Sequence, residues 1–187
     1  MTWILLIILL LAAAALMVLE WQGLATTLKL EMKGDVKRES RWLVQYGQAA
    51  CTPVVTILVW QLDPRHGRAA LTVGGAVAIT AIAAMLLKRL LGRVRPGRDN
   101  AGTFLGPSWK HANYRESFPS SHSACAAALS GILALMYPQA SITFWCLAVA
   151  CAILRWVLDA HWPSDVLAGL ALGLGIAQLT WLYLPPS

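Results

Sequence analysis

The chain has 187 residues, of which 58% are hydrophobic and 13% charged, and its formal net charge is +6. This composition excludes an ordinary soluble domain and indicates an integral membrane protein. The positive charge does not indicate a nucleic-acid partner, because no nucleic-acid-binding module is visible and the cations cluster between apolar segments. An anionic lipid or phosphate is the partner that the charge favours.

Six apolar runs approach the roughly 20 residues that a helix needs to cross a hydrocarbon core of about 30 Å. We therefore predict an all-α fold, a six-transmembrane-helix bundle forming one domain over residues 1–187. The second run is short and contains Pro53, so its ends are the least well defined. The predicted spans are Trp3 to Leu19, Gln48 to Gln61, Ala69 to Leu87, Ser121 to Met136, Ile142 to Leu158 and Val166 to Leu184.

The first run can be interpreted as a retained helix or as a cleaved signal peptide. Only Met1 and Thr2 precede it, without the cationic n-region of a signal peptide, which favours a retained helix. The segment from Glu20 to Tyr46 then mixes cations and acids with a few apolar residues. It has two interpretations, a short interfacial amphipathic segment or a solvated loop. The irregular apolar spacing leaves both open, and the fold prediction includes the interfacial segment.

The third span is followed by a cluster of cations. Lys88 and Arg95 are seven residues apart, about two helical turns, so both lie on one face if the helix continues to Val94. Arg89 and Arg93 lie between them. Charges this close to a membrane span are costly unless they reach water or have a function. A basic helix end that snorkels to the interface is the alternative interpretation.

A polar run from Phe118 to Ser123 precedes the fourth span. A serine such as Ser120 before a helix is a normal N-cap. The start of a helix also offers unpaired N–H groups and a positive dipole end, which suit a phosphate oxygen. His122 can give a proton to a leaving alkoxide, or it is an interfacial histidine without a role in chemistry.

The third cluster, Arg155, His161 and Asp165, lies between the last two spans. Pro163 and Ser164 indicate that a helix begins there. A carboxylate four residues after His161 can hold one imidazole tautomer and make the other nitrogen a better nucleophile. The alternative is that Asp165 only favours a helix N-terminus. We predict no metal and no cofactor, because the neighbouring cations oppose a metal ion and no dense carboxylate set is present.

The predicted topology brings these clusters to one side of the membrane. With six spans, the loops after the first, third and fifth spans lie on the same face, and the second and third of these loops carry all the polar residues just named. Separate structural roles would give no reason for this coincidence. The sequence therefore predicts one polar site at that face.

The order Lys88-x6-Arg95-Pro96, Pro119-Ser120-Ser121-His122 and Arg155-x5-His161-x3-Asp165 closely resembles the three-part signature of the type-2 phosphatidic acid phosphatase family. The resemblance covers a motif core from residue 88 to residue 165. Two positions depart from the usual pattern. Ser121 stands where the family has glycine, which affects the approach of the backbone to phosphate. Leu154 stands where the family has serine, which removes one hydrogen bond to phosphate.

The resemblance implies a metal-independent, two-step hydrolysis of a membrane lipid phosphate or diphosphate. The substrate class would be phosphatidic acid, phosphatidylglycerophosphate, polyprenyl diphosphate or lipid A. His161 would attack phosphorus, Asp165 would orient it, and His122 would protonate the leaving group. Water would then cleave the phosphohistidine. The residues expected to bind the phosphate oxygens are Lys88, Arg95, Ser120, Ser121 and Arg155, in agreement with the reliance of phosphoryl transfer on positioning and charge stabilisation.

Two alternatives stay open at this point. A phosphotransferase would use the same site with a lipid or sugar hydroxyl in place of water. A membrane scaffold or channel would distribute its charges along several helices, whereas here they gather at one face.

The orientation in the membrane has conflicting signals. Of the fifteen Lys and Arg residues, all but Arg65 and Arg68 fall on the face of the site, which by the positive-inside rule would be cytoplasmic. Bacterial members of the resembled family often have the site on the outer face of the cytoplasmic membrane. We predict the outer face, since some of these cations serve an anionic substrate.

Overall fold

The computed structural model describes residues 2–28, 30–48, 50–158 and 160–186. The described residues form seven α-helices and no strand, and one isolated antiparallel bridge joins Arg93 and Phe104. The helices are α1 (Thr2–Trp21), α2 (Gly34–Val44), α3 (Cys51–Leu62), α4 (His66–Leu91), α5 (Ser121–Met136), α6 (Ser141–Val157) and α7 (Pro163–Tyr183). The predicted all-α fold is confirmed.

The apolar helices make the chain an integral membrane protein. Among the described residues, four segments are long and apolar enough to cross a membrane, and they contain α1, α4, α6 and α7. The pair formed by α2 and α3, whose axes differ by 58°, provides a fifth only if it is counted as one broken span. Helix α5 is apolar but has only 16 residues. The count of six spans therefore stays a prediction, although all six predicted runs are helical.

Helix α5 is the centre of the bundle, and it packs against α4, α6 and α7. Small residues let α5 and α7 approach closely. A Cβ at Gly169 would collide with the carbonyl of Ser120, and a Cβ at Gly173 would collide with the carbonyl of Ala124. Such contacts are how helices without bulky side chains pack in membranes. The crossing brings the N-terminal ends of both helices together, which positions two of the three motifs.

The end of α4 differs from the prediction. The helix ends at Leu91 rather than continuing to Val94, because Gly92 adopts a left-handed conformation (φ 64°) and its N–H bonds to the carbonyl of Lys88. Arg93 and Arg95 therefore follow the helix in extended chain. The expectation that Lys88 and Arg95 share one helix face is wrong, and another contact brings them together.

The segment predicted to be interfacial contains α2. The described residues 22–28 and 30–33 ahead of it are not helical, and the backbone N–H of Leu30 donates to the carbonyl of Val157 at 3.0 Å. On α2, Ser40 and Val44 are buried, whereas the charged residues are exposed. The location of this helix at a membrane interface stays a prediction.

Candidate active site

The loop between α4 and α5 supplies a backbone carbonyl that binds the side chains of the first two cations of the site. Lys88 is 8% exposed, and its Nζ donates to the backbone carbonyl of Glu116 at 2.5 Å. Arg95 donates to the same carbonyl at 3.3 Å and to the carbonyl of Ala160 at 2.8 Å. These contacts, rather than a common helix, place the ammonium beside the guanidinium.

His122 and Arg155 line one cavity of 370 Å³, together with Gln48 and Arg41 from the segment around α2. His122 lies in the first turn of α5, and Arg155 in the last turn of α6. The side-chain amide of Gln48 contacts His122 Nε2. The cavity thus presents an imidazole and a guanidinium from two different helices to the same space.

His161 is the most deeply buried histidine of the chain's described part, with 1% of its surface exposed. Burial holds its pKa well below the usual range, because a charged imidazole is poorly solvated there. The positive charges of Lys88, Arg155 and Arg95 lower that pKa further. Cations of the first and third motifs therefore lie around a neutral imidazole, which is the form that can act as a nucleophile.

Asp165 lies in the first turn of α7 with its carboxylate fully buried. Its Oδ2 accepts from Ser117 Oγ at 2.5 Å and from the N–H of Trp162 at 3.1 Å. The same oxygen faces His161 Nδ1 at 3.7 Å, which is longer than a hydrogen bond. The aspartate is therefore fixed next to the histidine, and its orienting role stays a prediction.

Arg93 ties this carboxylate to the first helix. Its side chain is 2% exposed and donates through one nitrogen to Asp165 Oδ1 at 2.6 Å and to Ser164 Oγ at 2.7 Å. The other terminal nitrogen donates to Glu20 Oε2 at 2.8 Å. Glu20 in turn accepts from the backbone N–H of Ser164 at 3.1 Å. The result is a buried Glu20–Arg93–Asp165 network, in which α1 supports the start of α7.

The two serines of the second motif differ in environment. Ser120 is fully buried and is the N-cap of α5, and its Oγ accepts from Ser123 Oγ at 2.9 Å. Its backbone N–H donates to the carbonyl of Asp165 at 2.9 Å, which joins the second and third motifs directly. Ser121 is half-buried at the first residue of the helix. Both positions adjoin the N-terminal end of α5, where unpaired N–H groups can meet an anion.

The structure thus brings together the predicted residues of all three motifs, Lys88, Arg95, Ser120, Ser121, His122, Arg155, His161 and Asp165. Within the described ranges, no group of three His, Cys, Asp or Glu side chains is placed to hold a metal ion. Sequence reasoning missed the roles of Glu20, Gln48 and Ser117. It also grouped Arg93 with the other cations, although a charge so close to two motifs was a signal for a buried ion pair.

The comparisons with known proteins identify the family. A family model described as PAP2 superfamily matches residues 69–187. The chain belongs to the PAP2 superfamily. All three motifs lie inside the matched region, so the resemblance seen in the sequence is confirmed.

Several curated relatives in this family carry the names of lipid phosphatases. The lipid A 1-phosphatase of Rhizobium johnstonii is 39% identical over 106 residues, which cover 56% of this chain and 43% of that protein. The decaprenylphosphoryl-5-phosphoribose phosphatase of Mycobacterium tuberculosis (strain H37Rv) is 34% identical over 144 residues, or 75% of this chain and 76% of that protein. The chain therefore spans less than half the length of the Rhizobium relative.

The fold also matches a solved structure. The crystal structure of a transmembrane PAP2-type phosphatidylglycerolphosphate phosphatase from Bacillus subtilis aligns with a TM-score of 0.57 over 97% of this chain and 93% of that chain. The two sequences are 18% identical. This likeness establishes the PAP2 fold for nearly the whole chain.

Proposed function

We propose that the protein is a metal-independent phosphatase that removes phosphate from a membrane lipid through a phosphohistidine intermediate at His161. The observation that carries the proposal is the position of this neutral, buried imidazole among Lys88, Arg95 and Arg155. Three cations provide charge for the phosphate oxygens, and the imidazole provides a nucleophile. The family membership and the names of the relatives support the same class of reaction.

In the first step, His161 Nε2 attacks phosphorus, since Nδ1 faces Asp165. A bond forms between Nε2 and phosphorus, and the bond from phosphorus to the lipid oxygen breaks. His122 enters the step in its protonated form, which the negative charge of the bound phosphate favours, and gives that proton to the oxygen, which leaves as the lipid alcohol. The side-chain amide of Gln48 contacts His122 Nε2 in the structure, and we infer that the leaving oxygen takes its place.

In the second step, water attacks phosphorus and gives its proton to His122, so that the N–P bond breaks and inorganic phosphate is released. During both steps the developing charge lies on the phosphate oxygens. This charge is stabilised by the side chains of Lys88, Arg95 and Arg155. Ser120 and Ser121, at the N-terminal end of α5, assist them. The cycle returns both histidines to their starting states.

Phosphate release by the purified protein tests the proposal directly. We expect release from at least one member of a panel containing phosphatidic acid, phosphatidylglycerophosphate, a polyprenyl diphosphate and a lipid A. Samples quenched in alkaline detergent should keep phosphate on the protein in a form that is stable to base and labile to acid, as expected for phosphohistidine. The absence of release from the whole panel would contradict the proposed activity.

We expect the activity to survive EDTA, because the positive charge that a metal ion supplies in metal-dependent phosphatases comes here from Lys88, Arg95 and Arg155. The measurement is the initial rate of phosphate release with and without chelator. Loss of turnover in EDTA that a divalent ion restores would contradict the metal-free mechanism.

The orientation is tested by labelling intact cells. We propose that the site faces outward, so a cysteine at Asp99, which is exposed in the loop after α4, should react with an impermeant maleimide. A cysteine at Gly67 should not react, because it lies at the opposite end of α4, where an added Cβ has open space. Both are made in a background with the four native cysteines replaced by alanine. The reverse pattern would favour the positive-inside rule over the family analogy.

A further inference from the structure

Two cations of helix α2 have no acidic partner among the described residues. Lys37 and Arg41 are four residues apart and lie on one face of the helix. Both are exposed, and neither forms an ion pair with an acid in the described part of the chain. Arg38 differs, because it pairs with Asp35 at 3.0 Å and with Glu39 at 3.6 Å. The charge of Arg38 is balanced locally, and that of Arg41 is not.

Three cavities meet at Arg41. The first is the 370 Å³ cavity of the active site, which His122 and Arg155 also line. The second, of 450 Å³, is lined by Lys37 as well. The third, of 740 Å³, is lined by the three cations Lys37, Arg38 and Arg41 and extends to the apolar side chains of Trp42 and Val54. Arg41 thus lines both the cavity of His122 and Arg155 and an apolar cavity of a size that suits lipid chains.

Helix α2 is attached to the active site on both sides. Before it, the Leu30 N–H donates to the carbonyl of Val157, two residues after Arg155. After it, Gly47 packs so closely on the start of α5 that a Cβ there would collide with the carbonyl of His122. These contacts hold Arg41 at the wall of the cavity.

The charges around the cavities leave Arg41 and Lys37 available for a ligand. The reacting phosphate already has Lys88, Arg95 and Arg155. The 450 Å³ cavity is lined by one acid, Glu31, and by three cations, Lys33, Lys37 and Arg41, so its wall keeps a net positive charge. A second anionic group of the substrate is the ligand that two further cations at the mouth of the site would bind.

We propose that Arg41, with Lys37 beside it, binds a phosphodiester that lies between the reacting phosphate and the lipid chains of the substrate. The substrate class is then a lipid with two phosphate groups in its headgroup, and this inference rests on the proposed phosphatase function. The lipid named for the Mycobacterium tuberculosis relative, decaprenylphosphoryl-5-phosphoribose, is of this class. In this arrangement the apolar cavity beyond Arg41 takes the start of the lipid chains.

The test compares phosphatidylglycerophosphate with phosphatidic acid of the same acyl chains, in uncharged detergent micelles. Both release phosphate from a primary alkoxide, but only the first carries the inner phosphodiester. Arg41→Gln should lower kcat/KM for phosphatidylglycerophosphate by about 10-fold, which is the effect of losing one charged hydrogen bond. The kcat/KM for phosphatidic acid should stay within about 2-fold of the wild-type value. Arg38→Gln is the matched control. It removes the same charge from the same helix and from the wall of the 740 Å³ cavity, but Asp35 and Glu39 already balance that charge, so kcat/KM should change by no more than about 2-fold for either substrate.

Equal effects of Arg41→Gln on both lipids, or equal effects of Arg41→Gln and Arg38→Gln, would overturn the proposal and indicate general attraction to anionic lipid. Binding to the inactive His161→Ala protein gives a second readout. Short-chain phosphatidylglycerophosphate should bind more tightly than short-chain phosphatidic acid, and adding Arg41→Gln should remove the difference. If wild type releases no phosphate from any lipid of the panel while this binding difference persists, the proposed activity fails and the binding site stands.

Discussion

His161→Ala is expected to abolish both phosphate release and the phosphoenzyme, with rates falling to background. The imidazole forms the covalent bond in the proposed mechanism, and alanine offers no nitrogen to attack phosphorus. His161 is also surrounded by the positive charges that hold the phosphate, so another group cannot easily take its place. The measurements are steady-state phosphate release and labelling of the protein, quenched in alkaline detergent, from lipid with radioactive phosphate.

His122→Ala should fail in a different way, because this residue assists the departure of the lipid alcohol. General acid catalysis is commonly worth roughly 10²- to 10⁴-fold, so we expect a loss in that range with a lipid phosphate. An activated aryl phosphate has a leaving group that scarcely needs a proton, and its turnover should be less sensitive to the same change. Activity of the wild type on the aryl ester shows that it reaches the site.

The control for both variants is His66→Ala. His66 is exposed at the start of α4, at the end of the bundle away from the site. Its replacement should leave the turnover of both substrates unchanged. Equal losses for the two site variants on both substrates would show that the roles are assigned wrongly. A phosphoenzyme trapped in His161→Ala would place the nucleophile elsewhere.

The six helical runs and the meeting of the three motifs were predictable from the sequence. Four long apolar runs indicate membrane helices by length alone, and the order of the motifs along the predicted spans indicates that they share a face. The predicted bounds of α5, Ser121 to Met136, are those in the structure, because Ser120 is a strong capping residue ahead of an apolar run. Pro163 and Ser164 likewise marked the start of α7 correctly.

The details of the polar connections were not predictable. Nothing in the sequence states that Gly92 ends α4 before Val94, since a glycine in an apolar run is also compatible with a continuing helix. The contact of Lys88 and Arg95 with one carbonyl depends on the path of a loop of more than 20 residues. Glu20 is separated from Arg93 by 73 positions, and no local pattern indicates such a pairing.

Arg93→Met should cause a large loss of stability, because it leaves two buried carboxylates without their cation. The side chains of Glu20 and Asp165 are at most 2% exposed. Removing one partner of a buried ion pair typically costs about 3–5 kcal/mol, since the other charge stays buried and unpaired. Arg38→Gln breaks exposed pairs and is expected to change stability by no more than about 0.5 kcal/mol. The measurement is thermal unfolding of the purified variants in one detergent.

The network also predicts how Glu20→Gln and Arg93→Met combine. Glu20→Gln alone leaves Arg93 paired with Asp165, so it should lower the stability less than Arg93→Met does. In the double variant only Asp165 stays buried without a cation, so the loss should be less than the sum of the single losses. Additive losses would show that Glu20 and Arg93 act independently.

Arg93→Lys separates the effect of charge from the effect of geometry. The guanidinium bonds to Asp165 through one nitrogen and to Glu20 through another, whereas an ammonium has a single nitrogen on a flexible stem. Lysine can therefore balance the buried charge but cannot bridge both carboxylates with the same fixed geometry. We expect its unfolding temperature to lie between those of wild type and Arg93→Met. A lysine variant as stable as wild type would show that charge alone is required, and one no better than methionine would show that the bridge itself provides the stability.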